Sequence, residues 1–149
     1  MASIGKWGSL AAAVSLLTTE LNSLANGSAS AASAAIANQT DLNVYADIEL
    51  VLGSLSPVAP NYCTLYILEA IDGSNYPSAT GSVLRNQPSQ ILCTFPLDTT
   101  ASTAQRVVVR NVVIPPGSFK VVLDNQAGVA LASSGNTVKM ITYNVNLNG

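Results

Sequence analysis

Asp41-Leu-Asn-Val-Tyr-Ala-Asp-Ile-Glu-Leu-Val-Leu52 alternates from end to end. Leu42, Val44, Ala46, Ile48, Leu50 and Leu52 form one set, and Asn43, Tyr45, Asp47, Glu49 and Val51 the other. Side chains on a strand point to opposite faces with a period of two, so this stretch reads as a β-strand with its first set on a core. Its β-branched and aromatic content agrees with that assignment.

The same grammar continues downstream. Gly53–Asn61, with Pro57 and Pro60, is a loop, and Cys63–Ile71 a second strand. Asp72-Gly-Ser-Asn75 has turn chemistry. Ser82–Arg85 reads as a short edge strand and Gln90–Phe95 as another, closed by Pro96. Arg106–Ile114, ended by Pro115-Pro116-Gly117, then Ser118–Asp124, Val129–Ala132 and Thr137–Leu147 complete the set. Short strands with turn signals about every ten residues predict a mainly β protein. An antiparallel β-sandwich follows, with a jelly roll as the leading architecture. No helical pattern separates the strands, which excludes a parallel α/β arrangement. No fixed repeat points to a solenoid or propeller.

Upstream the pattern changes. Leu10, Val14, Leu17, Leu21 and Leu24 recur at intervals of four, three, four and three. This spacing predicts a helix over Ser9–Ala25 with a coiled-coil seam, N-capped by Ser9 and stopped by Asn26-Gly27. Ser28–Asn38 is nearly all Ala and Ser, and reads either as more helix or as an extended arm. Lacking large side chains, it cannot build a core, so a partner chain or a larger surface is expected to order it. The chain therefore divides into an association arm, residues 1–40, and a sandwich domain, residues 41–149. Trp7, in Gly5-Lys6-Trp7-Gly8, is read as an anchor into a partner or back onto the sandwich. The expected oligomer or partner interface is Trp7, Leu10, Val14, Leu17, Leu21 and Leu24.

Composition narrows the function. Charged residues are 9 % of the 149, against about 25 % in ordinary soluble domains. Hydrophobic residues reach 48 %, so solubility rests on Ser, Thr, Asn and Gln. Such a neutral surface suits a protein buried in an assembly, or one exposed outside the cell. The net charge of −2 leaves no electrostatic footprint for nucleic acid. No apolar run is long enough to span a bilayer as a helix. Lys6 ahead of Leu10–Leu17 has the outline of a secretory signal, but a single Lys and a helical spacing favour a retained helix.

Catalytic equipment is sparse. The chain has no histidine, which removes the commonest general base, Ser-His-Asp catalysis and imidazole metal sites. Asp47 and Glu49 share a strand face, as a glycosidase pair would, but a solvated face explains them better. Asp72-Gly-Ser-Asn75 lacks the further carboxylates calcium needs. Neither an enzyme nor a cofactor or metal site is expected. Cys63 and Cys93 lack redox or metal spacing and read as buried small hydrophobes, with a bridge left open. Tyr62 and Tyr76, in loop contexts, are the residues a sugar-binding surface would use, if they do not simply pack at the rim of the core.

Asp41–Leu52, Thr64-Leu-Tyr-Ile-Leu68, Asp72-Gly-Ser-Asn-Tyr-Pro77 and Ile114-Pro-Pro-Gly-Ser-Phe-Lys-Val-Val-Leu-Asp-Asn-Gln-Ala-Gly128 together resemble small virion proteins of tailed bacteriophages. The pattern covers about residues 41–147 and is similar to capsid decoration, or cement, proteins. That resemblance implies a sandwich or jelly roll without an active site, commonly a homotrimer, seated on the outer surface of the capsid over junctions between major capsid proteins. The expected partners are copies of itself and the major capsid protein, with no nucleic acid and no membrane. A tail, baseplate or fibre-associated domain is the alternative within the virion. A secreted carbohydrate-binding module is the alternative outside it.

Overall fold

A computed structural model describes residues 4–148. Among the described residues ten strands run in chain order: β1 (Ile4–Trp7), β2 (Val14–Leu17), β3 (Ile36–Ala37), β4 (Tyr45–Leu55), β5 (Tyr62–Glu69), β6 (Ile91–Pro96), β7 (Thr103–Val113), β8 (Ser118–Gln126), β9 (Thr137–Tyr143) and β10 (Val145–Asn148). A short helix, α1 (Gly81–Arg85), precedes β6. Two four-stranded antiparallel sheets, ordered β2-β9-β4-β7 and β3-β8-β5-β6, face each other, and β1 pairs with β10.

The pairing has a simple rule. β1 pairs with β10, β2 with β9, β3 with β8, β4 with β7 and β5 with β6. The chain is one long antiparallel ribbon, folded back at the β5–β6 connection and rolled so that β4 meets β9 and β5 meets β8. That rolled ribbon is a jelly roll, the architecture expected from the strand spacing.

The ribbon corrects the reading of residues 1–40. No helix forms over Ser9–Ala25. Val14–Leu17 is a strand on β9, followed by a single 3₁₀ turn at Thr19–Leu21. A bulge between Ser15 and Leu17 lets the consecutive Leu16 and Leu17 both become buried. An isolated helix of this length is marginal, whereas β9 offers a full row of backbone partners and the core offers apolar contact. Nor is residue 40 a boundary, because β2 and β3 belong to the two sheets of the sandwich.

Ser28–Asn38 is extended, and this chain's own β8 orders it. Ser30 N–H donates to Leu123 O at 2.8 Å and Leu123 N–H to Ser30 Oγ at 3.1 Å. Ser33 repeats the exchange with Val121, at 2.9 and 3.0 Å. The hydroxyls stand in for carbonyls a regular strand would present, so the edge of β8 is satisfied. Ala29 and Ala32 are small enough to sit against Tyr66, Leu68, Leu84 and Val122, a second apolar cluster outside the sheet.

The main core lies between the sheets. Ala46, Ile48, Leu50 and Leu52 of β4 are buried, as their alternation predicts. Leu42 and Val44 are exposed, because the strand starts at Tyr45. Leu65, Phe95, Phe119, Val121, Leu123, Val138 and Met140 fill the remaining space together with Leu17 and Leu21. Two further strand assignments change. Gly81–Arg85 is helical, which places Leu84 over Tyr66 and Leu68. Val129–Ala132 lies outside both sheets, tied to the N-terminal segment through Leu131 N–H to Leu24 O and Ser23 N–H to Ala132 O. Thr137–Leu147 is interrupted at Asn144, which separates β9 from β10.

Candidate functional site: an exposed aromatic surface

Of the six residues expected at an interface, the structure brings Trp7 and Leu10 together and separates the others. Leu17 and Leu21 are inside the chain's own core, and Leu24 packs against it. Val14 is exposed on the edge strand β2. Trp7 and Leu10 are 67 % and 69 % exposed and line a cleft of about 450 Å³ with Gly8, Asp47, Arg110, Asn111 and Tyr143.

Each wall follows from local structure. Opposite Ala46 and Ile48 of β4 stand Val112 and Val109 of β7, so Arg110 and Asn111 form a bulge. Asn111 takes the left-handed conformation, φ 57°, which Asn tolerates better than most residues. Its N–H leaves the ladder and donates to Asp47 Oδ1 at 3.0 Å. The bulge thereby turns Arg110 and Asn111 toward the cleft. Tyr143 ends β9 and puts its hydroxyl 2.9 Å from Asp47 Oδ1 and 2.7 Å from Asn111 Oδ1. Burial first, then the Asp47 carboxylate, push this hydroxyl above the ordinary tyrosine range, so it stays protonated.

Trp7 reaches the cleft on the β1–β10 ribbon. Gly8 N–H donates to Asn144 O at 2.7 Å, and a Cβ at Gly8 would crowd that carbonyl at 2.9 Å. The glycine lets the ribbon cross closely over the end of β9. The Trp7 ring meets Tyr143 edge-on at 5.4 Å, and Tyr143 stacks on Tyr45 at 5.9 Å. The sequence left Trp7 between a partner and its own sandwich. It touches its own sandwich through one ring edge and leaves most of its surface open. The sequence signals that could have revealed this site were Gly8 beside Trp7 and the Arg-Asn interruption of the Arg106–Ile114 strand.

The other residues singled out by sequence have settled roles. Glu49 pairs with Arg106 at 2.9 Å across β4 and β7, on the exposed face. Asp72 accepts from the N–H groups of Ser74 and Asn75 at 2.9 and 2.7 Å. Hydrogen bonds from Asn75 and Ser74 hold its carboxyl down to about 2; the loop is an Asx turn. Cys63 and Cys93 are free, buried thiols on adjacent strands. Burial pushes both up to about 12, and the thiolate is the reactive form. Native protein is therefore expected to resist a thiol-specific disulfide reagent at pH 8 and to release two equivalents once unfolded in guanidinium. Rapid labelling of the folded chain would contradict that placement.

No family model matches this chain, and no curated protein sequence matches it. Solved structures with a similar outline include a carbohydrate-binding module, CBM36, in complex with calcium and xylotriose: 14 % identity, 96 % of this chain and 99 % of that one, TM-score 0.45. The exo-β-1,3-galactanase of Phanerochaete chrysosporium aligns at 12 % identity, over 96 % of this chain and 30 % of the enzyme, TM-score 0.34. Desmodium yellow mottle tymovirus aligns at 11 % identity, over 99 % and 90 %, TM-score 0.33. At these scores the likenesses decide neither ligand nor function.

Proposed function

We propose that this protein is a structural virion protein that decorates and stabilises a bacteriophage capsid, acting as an oligomer and bound at junctions between major capsid proteins. The observation that carries this reading is the exposed apolar surface around Trp7. Trp7 and Leu10, both on the N-terminal segment, are exposed, as is Val145, the residue paired with Trp7. Aromatic anchors in largely desolvated pockets supply most of the affinity of protein interfaces, and solvating this one in a monomer is unfavourable. The low charge of the chain supports the same reading, since neutral surfaces associate without desolvating ions. The sequence resemblance favours three copies, a number that closed symmetry permits.

Trp7 is the sole tryptophan of the chain, so its fluorescence reports the contact directly. Light scattering is expected to give about three times the 15.3 kDa chain mass, with emission shifting to the blue as concentration rises. Trp7→Ala is expected to weaken association by more than about 30-fold, as a hot spot worth about 2 kcal/mol would. Its unfolding midpoint should move little, because the edge contact with Tyr143 is worth only about 0.5–1.5 kcal/mol. A monomer with red-shifted emission at every concentration would sink the oligomer reading. Co-sedimentation with phage heads that lack their decoration then tests capsid binding.

A further inference from the structure

The opposite sheet carries a second recess, built by incomplete cover. On the outer face of β5 the alternating residues are Tyr62, Thr64, Tyr66 and Leu68. Leu84 of α1, with Ala29 and Ala32, covers Leu68, Val122 and the ring of Tyr66. Neither α1 nor the Ala-Ser segment reaches the Tyr62 end. The step leaves a groove of about 440 Å³ across β6, β5 and β8, lined by residues that include Tyr62, Thr64, Tyr66, Thr94 and Gln126. Tyr62 is opposite Gln126, and Thr64 stands between Thr94 and Asp124, so these side chains share one face.

The chemistry of the lining is specific. Tyr66 is only 4 % exposed. Its hydroxyl has no hydrogen-bond partner among the described residues, yet it is not sealed from solvent. Burial, reinforced by the Asp124 carboxylate, keeps that hydroxyl protonated. The Thr64 hydroxyl is likewise unpartnered among the described residues and lies in the same groove. Two otherwise buried side chains thus hold their hydroxyls in fixed positions open to solvent at one recess, where a ligand's hydroxyls can replace water as partners. The two charged groups at the groove pair with each other, so the lining carries no net charge. Arg85 is bound side-on to Asp124, Nε to Oδ2 at 2.9 Å and Nη2 to Oδ1 at 2.6 Å, and Asp124 is 1 % exposed. The Arg85 side chain is 38 % exposed at the groove, and its charge there is paired with Asp124. Gln126 Nε2 also donates to Asp124 Oδ2, at 3.1 Å, which leaves its carbonyl for a ligand. Tyr62, about one-third exposed, offers a ring face at the rim.

We infer that this groove is a binding site for a neutral saccharide, whose hydroxyls pair with Thr64, Tyr66, Thr94 and Gln126 while one sugar ring packs on Tyr62. Hydroxyl-dense, uncharged ligands fit a lining of paired charge, open hydroxyls and one aromatic face; an apolar ligand would leave these groups unpaired. Tyr76, the other tyrosine that sequence suggested for sugar contact, has no part in it. Its hydroxyl bonds Ser118 at 2.8 Å and its ring lies under Lys120 at 4.4 Å. The site is on the sheet opposite the Trp7 cleft and is independent of the oligomer reading.

The test is an amide chemical-shift titration of the full chain with maltotriose, cellotriose and chitotriose, with sialyllactose as the anionic comparator. At least one neutral trisaccharide is expected to bind in the millimolar range and to shift Thr64, Tyr66, Thr94 and Gln126. Tyr66→Phe and Thr64→Val delete single hydroxyls and keep the packing. Each should weaken binding about three- to tenfold, and Tyr62→Ala about tenfold. Trp7→Ala should leave the affinity unchanged, which separates this site from the association surface. The inference is overturned if no neutral sugar moves these signals, if the hydroxyl deletions change nothing, or if sialyllactose binds more tightly than the neutral sugars.

Discussion

A chain lacking residues 1–38 is expected to lose its fold, not merely its ability to associate. The deletion removes β2 and β3, the partners of β9 and β8, and leaves one edge of each sheet bare. It also removes Leu16, Leu17 and Leu21 from the core. Burial of a Leu side chain contributes about 1.5–3 kcal/mol, so their loss alone amounts to about 5–9 kcal/mol. A domain of this kind has about 5–15 kcal/mol in total. The serine exchanges with Val121 and Leu123 go as well, leaving backbone groups of β8 unpaired. Bare edges beside an opened core are an aggregation template. Circular dichroism and size-exclusion chromatography of the truncated chain should show aggregated or unfolded material. A soluble, cooperatively melting β-domain would mean that residues 1–38 are the separable arm their composition suggests.

Leu21→Ala is expected to destabilise the protein by about 2–5 kcal/mol, the range for emptying a buried Leu site, whereas Leu10→Ala should change it by less than about 0.5 kcal/mol. In a coiled-coil seam the two are equivalent positions, and both substitutions would weaken association alike. In the jelly roll Leu21 is fully buried between the sheets and Leu10 lies at the open cleft. Urea unfolding of both variants at a concentration where the wild type is monomeric separates the cases. Equal stabilities, with equal losses of oligomer, would restore the helical seam. A large loss for Leu21→Ala alone places that residue in the monomer core.

The legible part of the fold was its period-two grammar. Ala46, Ile48, Leu50 and Leu52 face the core as their alternation requires, and Phe119, Val121 and Leu123 follow the same rule on β8. Pro115-Pro116-Gly117 ended β7, and Asp72 made its turn, because φ restrictions and short-range side-chain bonds are local effects. The Leu10–Leu24 spacing misled because a 3.5-residue period measures only how a segment would pack if it were helical. Leu16 and Leu17, adjacent and both buried, become intelligible only once β9 supplies a bulged pairing. The Ala-Ser run gave no side-chain pattern at all, since its order comes from hydroxyls bonded to β8.

The two surfaces divide along the same line. Trp7 could be singled out because a lone tryptophan beside glycine is conspicuous in any chain. Its meeting with Tyr143, and the turning of Asn111 toward it, depend on a ribbon that pairs the two ends of the sequence. Tyr62, Thr64 and Tyr66 alternate visibly along β5, yet nothing in that alternation says which half of the sheet α1 will cover. By itself the sequence determined the class of fold, the strand periodicity and the poverty of charge, all of which depend on composition and near neighbours. Only the tertiary structure decided the fate of residues 4–38 and the two recesses, because long-range strand pairing sets which backbone edges and side chains remain unpartnered.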